Sequence, residues 1–147
     1  MEAPMATGLP VFDKTLQETN LWLKDLEVGL NASRRQAYAA LRATLHALRD
    51  RLPPATAMHF AAQLPILLRG VFVEGWDLAE RPAKPRTVPS FLADVASGLA
   101  PGFPFGPERV AREVFQVIRG QMDLGEVDKI MDHLPRPIRE LWLEDVL

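Results

Sequence analysis

Three arginines, Arg35, Arg42 and Arg49, recur at intervals of seven in "RRQAYAALRATLHALRDRLP". At 100° per residue this spacing keeps them within about 40° of one another on a helix, to one side of the apolar arc Ala37, Leu41, Leu45, Leu48 and Leu52. A planar guanidinium there can grip a carboxylate or phosphate through two parallel hydrogen bonds. The stripe therefore reads as an anion site or a seat for a partner's acidic surface. It reads equally as long stems covering the core edge, their heads paired with Asp25, Glu27 or Glu18. Arg69 lies among Ile66, Leu67, Leu68, Val71 and Phe72, and Arg139 holds a similar place later in the chain. A buried arginine must be paired, so the expectation is an internal ion pair tying each short helix to its neighbours; the alternative is a charge held at a cleft or interface. Glu74, Gly75 and Trp76 set a carboxylate, a turn and an amphipathic ring side by side, either as an interface anchor or as a lid on the core end. The candidate binding residues are thus Arg35, Arg42, Arg49, Arg69, Glu74 and Trp76.

No residues are assigned to catalysis, to a metal or to a cofactor. His46, His59 and His133 do not form three convergent ligands, and Asp128 and Asp132 read as solvated helix surface. There is no G-x-S-x-G, no phosphate-cradling glycine loop and no G-x-G-x-x-G. With no cysteine among 147 residues, disulfides and thiolate chemistry are excluded and a reducing compartment fits. The net charge of −2 divides into +1 over residues 1–76 and −3 over residues 77–147, neither of which has the basic balance of a phosphate-backbone binder. Nucleic acid is disfavoured as a partner. No apolar run approaches the ~18–20 residues of a membrane span, and "MEAPMATGLP" lacks the apolar core of a secretory signal. The expectation is a soluble, cytoplasmic protein. Phe103 and Phe105, in a proline loop, suit a partner patch or a loop tucked onto the core, and the tucked loop is expected.

The elements that must position these residues are helices. Phe12, Leu16, Thr19, Leu23, Leu26 and Leu30 share a narrow arc, with the Thr19 hydroxyl expected to bond back to the preceding turn. Ser33 offers an N-cap for a second helix to about Leu52. Pro53 and Pro54 end it and open a third, Ala55 to about Gln63. Pro65 opens a fourth, Ile66 to Glu74, which is apolar nearly all round and is expected to be the buried centre, with Gly75 as its C-cap. Residues 77–90 read as a Pro-rich linker. Phe91 to Leu99, Pro107 to about Gln121, Leu124 to His133 and Pro135 to Trp142 follow, with Asp123 and Glu126 at capping-box spacing.

At an ungapped shift of seventy, Arg42 meets Arg112, Arg49 meets Arg119, Leu64 and Pro65 meet Leu134 and Pro135, Arg69 meets Arg139, and Glu74 meets Glu144. Apolar positions pair in the same register, Phe60 with Ile130 and Phe72 with Trp142 among them. The fold expected is all-α, an internal duplication of a four-helix unit: residues 11–76, the linker 77–90, and residues 91–147, packed as one compact helical domain or a tight pair.

The segments "LHALRDRLP", "AQLP", "LLRG" and "EGW" resemble the bacterial family of domain of unknown function 2267, and "VFDKTLQETNLWLKDL" resembles its lead-in helix. The resemblance covers most of the chain from Val11 and is looser in the second half, where Gly70 is replaced by Glu140. It implies an all-helical, bacterial, cytosolic protein and brings no catalytic residue with it. The function expected is a non-enzymatic interaction module, binding another protein or itself through the arginine-flanked face and the Trp76 end. The alternative is a small-ligand binder or unrecognised enzyme with a site between the repeats, using Arg69, Glu74 and His46. A third and weaker reading is a DNA-binding helical protein.

Overall fold

A computed structural model of the chain describes residues 7–78 and 84–143. Its elements are α1 (Pro10–Leu30), α2 (Arg34–Arg49), α3 (Pro54–Gln63), α4 (Ile66–Val73), α5 (Val88–Ser97), α6 (Pro107–Gln121), α7 (Leu124–Met131) and α8 (Arg136–Arg139), the last running into a 3₁₀ turn, Glu140–Trp142; no strand occurs among the described residues. Local chemistry sets the boundaries. Asn31 closes α1 in the left-handed conformation, φ 54°, which its short polar side chain tolerates. Ser33 and Gln36 form a full capping box at the start of α2. Proline stands in the first turn of α1, α3, α5, α6 and α8, where its missing N–H costs nothing. Thr87 caps α5 through Ser90 N, so this helix begins at Val88, inside the stretch expected to be linker. Asp123 caps α7 by accepting from Gly125 and Glu126, while the Glu126 carboxylate turns away to His59 and Lys129.

One apolar cluster runs through both halves. Helix α2 is its centre, touching α1, α4, α5 and α6. Its alanines let neighbours approach on several sides: Ala37, Ala40, Ala43 and Ala47 are all buried, together with the expected arc. The expectation that α4 forms the centre does not hold. Only Leu68 and Phe72 of α4 are buried, because an eight-residue helix lying across α1 and α2 offers them a single face. The arc of α1 is also rotated. Because α1 packs on both α2 and α6, Thr15 and Trp22 are buried with Thr19, Leu23, Leu26 and Leu30, and Phe12 is left on the surface. The Thr19 hydroxyl is buried and has no hydrogen-bond partner, so the expected bond to the preceding turn is not made. The Phe103–Phe105 loop is tucked in, both rings packed against the core, with Arg109 lying 5.0 Å from the Phe105 ring centroid.

Contacts recur between the halves. Each opening helix packs on the second helix of the other half, α1 on α6 and α5 on α2. Arg51 Nη1 at the end of α2 donates to Asp94 of α5 at 2.9 Å, and Gln121, seventy residues on, donates to Asp25 of α1 at 2.7 Å. Asp25 and Asp94 are sixty-nine apart, and in that register Leu23, Gly29 and Leu30 also meet Leu92, Gly98 and Leu99. An ungapped shift of seventy passes over these identities by one residue. Glu144, which that shift pairs with Glu74, lies outside the described residues.

The two glycines sit at the helix crossings, and their surroundings differ. A Cβ on Gly98 would meet Ala43 Cβ at 2.8 Å and its Cα at 3.2 Å, whereas one on Gly29 would meet only the movable Glu113 carboxylate, at 2.5 Å. Gly98→Ala is therefore expected to destabilise by about 1–3 kcal/mol through overpacking. Gly29→Ala should stay within about 1 kcal/mol of wild type, since the carboxylate can swing aside and alanine favours the helix. Urea unfolding of both variants checks the contrast, and equal losses would remove the Gly98–Ala43 contact as its cause.

Candidate functional site

Helix α4 ends against the side of α2, and its last carbonyls need partners away from bulk water. Cations and an imidazole on α2 supply them. Arg49 is buried, and its Nη1 donates to the carbonyls of Phe72 at 3.0 Å and Glu74 at 2.9 Å, while its Nε donates to Asp50 at 2.9 Å. Its guanidinium carbon lies 5.8 Å from the Trp76 ring centroid, a cation–π distance. Arg42 Nε pairs with the Glu74 carboxylate at 2.9 Å, half exposed. His46 Nε2 lies 2.7 Å from the Val71 carbonyl, and because a carbonyl only accepts, Nε2 carries the proton. Positive charge at a helix C-terminus is favourable as well as space-filling. Trp76 is half-buried, packed edge-on to Phe72 at 6.5 Å, and lids this end of the core.

The same device closes the last helix. Arg119 Nη1 and Gln116 Nε2 both donate to the Trp142 carbonyl, at 2.9 and 2.8 Å, and Arg112 reaches the Leu143 carbonyl at 3.4 Å. Arg42, His46 and Arg49 thus correspond to Arg112, Gln116 and Arg119. Trp142 itself stacks on Phe115, with ring centroids 4.0 Å apart and planes 4° from parallel.

The fold therefore brings together Arg42, Arg49, Glu74 and Trp76 from among the candidate residues, with His46 beside them. Arg35 stands exposed near the start of α2, where its neighbour Arg34 takes up Glu27 at 3.0 Å and also Asn20. Arg69 is exposed and makes no ion pair among the described residues. Its guanidinium caps the C-terminus of α3, donating to the carbonyls of Ala61, Ala62 and Leu64 at 3.1–3.2 Å. It does tie α4 to α3, through carbonyls in place of the expected carboxylate. A site combining Arg69 with Glu74 and His46 is not assembled, because Arg69 turns to the other end of α4.

One buried charge does not stand out in the sequence. The Arg51 side chain is fully buried, donating to Asp94, to Ser90 Oγ at 3.0 Å and to the Ala47 carbonyl at 3.1 Å, over the Phe91 ring. Its Nε is unpaired. Between α2 and α5, beside this pair, an open cleft of ≈ 230 Å³ has Arg42, His46, Arg49, Asp50, Lys84 and Asp94 in its lining. Among the described residues, no group of three His, Asp or Glu side chains is placed to hold a metal ion, and no helix is long and apolar enough to cross a membrane.

Burial is the main cause that holds the His46 pKa below the ordinary imidazole value of 6.5; the Val71 carbonyl opposes it, and the positive charges of Arg49 and Arg42 add to it. The folded chain keeps the ring neutral at a pH where the unfolded chain protonates it. Stability from this group is therefore full above pH 6.5 and falls as pH drops through 6.5 toward the lower folded value. His46→Gln copies Gln116, retains a donor for Val71, and should flatten that part of the urea-stability profile between pH 5 and 8. Identical slopes in wild type and H46Q would show that His46 is not buried as the neutral ring.

The match to known families agrees with this helical frame. Residues 19–141 match the model of the family described as Uncharacterized conserved protein (DUF2267), and no curated protein matches the chain. The match spans well over half of the 147 residues, so this chain, with its two clamped helix ends, belongs to the DUF2267 family.

Proposed function

We propose that the chain is a non-enzymatic helical interaction module that binds a protein partner, a second copy of itself included, through an apolar end formed by the first turns of α1 and α4. The Leu67 N–H donates to Thr15 Oγ1 at 2.9 Å, which sets the first turn of α4 against the second turn of α1, one turn on from Val11 and Phe12. Val11, Phe12, Ile66 and Leu67 are 50%, 49%, 48% and 44% exposed. Single exposed apolar residues are ordinary, whereas adjacent large ones mark binding surfaces.

The observation that carries the reading is a comparison within the molecule. At the shift of seventy, Ile66 and Leu67 correspond to Arg136 and Pro137, and exposed Met58 on α3 corresponds to exposed Asp128. Helices α7 and α8 form with those polar or helix-starting residues in place. The frame therefore does not require isoleucine, leucine and methionine on the outer face of the first half. Burying such side chains against a partner contributes about 1.5–3 kcal/mol each, which is the scale of interface hot spots.

Arg42 and Arg49 take part indirectly in this reading. They fix the end of α4 and so the direction in which its first turn points. Their engagement with Glu74, Asp50 and backbone carbonyls, and a net charge of −2, disfavour a nucleic-acid partner. The absence of cysteine supports a cytoplasmic site of action.

The test places photoreactive benzoylphenylalanine at position 66, and at position 128 as control, in the host cell. A discrete cross-linked partner is expected from position 66 only, and Phe12→Glu in the same chain should abolish it without changing the melting temperature by more than a few degrees. Equal cross-linking from both positions, or none from position 66, would contradict the proposal.

A further inference from the structure

Gly70 stands in the middle of α4, where a glycine needs a reason. In a helix interior glycine is less favourable than every residue but proline. Gly29, Gly120 and Gly125 each stand one residue from the end of their helices. At Gly70 the internal reasons are missing. Its φ is not positive, it caps no terminus, and a Cβ built on it would meet nothing within 4 Å. The fold itself has room for a side chain there.

What surrounds Gly70 is apolar. One turn before it stand Ile66 and Leu67, both exposed, and three residues after it stands half-buried Val73, at spacings that share the outer side of the helix. The second half closes the same positions differently. Ile66 corresponds to Arg136 and Gly70 to Glu140, and those two side chains pair with each other at 3.9 Å on the surface. Neither α3 nor α4 carries an acidic residue, whereas residues 121–143 carry Asp123, Glu126, Asp128, Asp132 and Glu140. The nearest acids are engaged elsewhere, Glu74 by Arg42 and Asp13 by Thr7. Exposed Arg69, beside Gly70, donates to the α3 carbonyls through Nε and Nη2, and its Nη1 has no partner among the described residues.

We propose that α4 receives an acidic amphipathic helix of a protein partner, which crosses closely over Gly70 between Ile66, Leu67 and Val73 and sets a carboxylate toward Arg69. This deepens the interaction reading above and rests on it. A missing Cβ lets a second helix backbone approach to the short end of the ~8–10 Å interaxial range, a gain that a lipid surface would not draw. The apolar neighbours supply the burial, and Arg69 supplies the charge that an acidic helix answers. Two copies joined symmetrically over α4 would bring their Arg69 side chains to one seam with no acid of α3 or α4 between them, so the occupant assigned is a different protein.

The probe is the peptide that benzoylphenylalanine at position 66 captures in the host cell, sequenced by mass spectrometry, synthesised and titrated against the full chain. It should belong to another protein, carry acidic residues beside apolar ones at helical spacing, and gain helical circular dichroism on binding. Gly70→Ala should weaken binding at least ~5-fold through crowding at the crossing. Gly70→Glu, the residue of the second half, should weaken it at least ~100-fold by adding bulk and a like charge. The free G70A chain should melt a few degrees above wild type, because alanine favours the helix. Should G70E fail to fold, G70A decides alone. A captured peptide whose affinity G70A leaves unchanged, one that binds without gaining helix, or one from this same chain would overturn this inference and leave the interaction reading standing. No capture at position 66, whether or not the chain binds phosphatidylserine vesicles, would overturn both.

Discussion

A short helix whose C-terminus runs into its neighbour has carbonyls partly or wholly withdrawn from water, and the rest of this structure is arranged around satisfying them. Helix α4 is eight residues long and ends on the flank of α2. Arg49 answers the carbonyls of Phe72 and Glu74, His46 answers Val71, and Arg42 holds the side chain of Glu74. Each unanswered buried carbonyl would cost about 1–3 kcal/mol, a large share of a domain's marginal stability. Three positions on one face of α2 are thereby committed, and the same three on α6 are committed to the end of the chain's last described helix. Once the polar face of α2 is fixed by α4, its alanine-rich faces are left for α1, α5 and α6, and the order of packing follows.

Much of this frame is legible in the sequence and part of it is not, for physical reasons tied to particular residues. The apolar arc of α2, the Ser33 cap and the proline corners at Pro53, Pro65 and Pro107 depend on local chemistry, which a sequence displays. Burial of α4 depends on how many neighbours an eight-residue helix meets, and hydrophobicity alone does not count neighbours; Ile66 and Leu67 look like core until α4 is placed. Trp22 is buried and Phe12 exposed for the same reason, since the buried stripe of α1 is set by α2, α4 and α6 at once. The arginine stripe is visible, but a guanidinium on a backbone carbonyl leaves no acidic residue in the sequence to reveal it. Arg51 escapes notice because its acid, Asp94, is forty-three residues away on a helix from the other half. The correspondence of Asp25 and Gly29 with Asp94 and Gly98 is hidden by a one-residue change of register between the opening helices and the rest.

The candidate site is legible in its residues but not in its meaning. Four of the six candidates, Arg42, Arg49, Glu74 and Trp76, do meet, bonding to one another and to the end of α4. What distinguishes the halves lies elsewhere, in Ile66 against Arg136, Met58 against Asp128 and Gly70 against Glu140. A position that tolerates a charge in one half and carries an apolar residue in the other is not dictated by the frame, and such positions are where binding can be sought. Membership of the DUF2267 family is consistent with the helical frame; the proposed partner and the helix proposed to cross α4 rest on the differences between its halves.

The clamp itself is most directly tested by amide hydrogen exchange, monitored by mass spectrometry, on Arg49→Met. Methionine keeps most of the stem's apolar packing and removes the donors. The expected result is loss of protection concentrated in α4, with a drop in overall stability of about 2–4 kcal/mol. Unchanged protection of α4, or a loss spread evenly over all the helices, would contradict the role of Arg49 as the clamp on α4 and leave the arginine stripe as a surface open to a ligand.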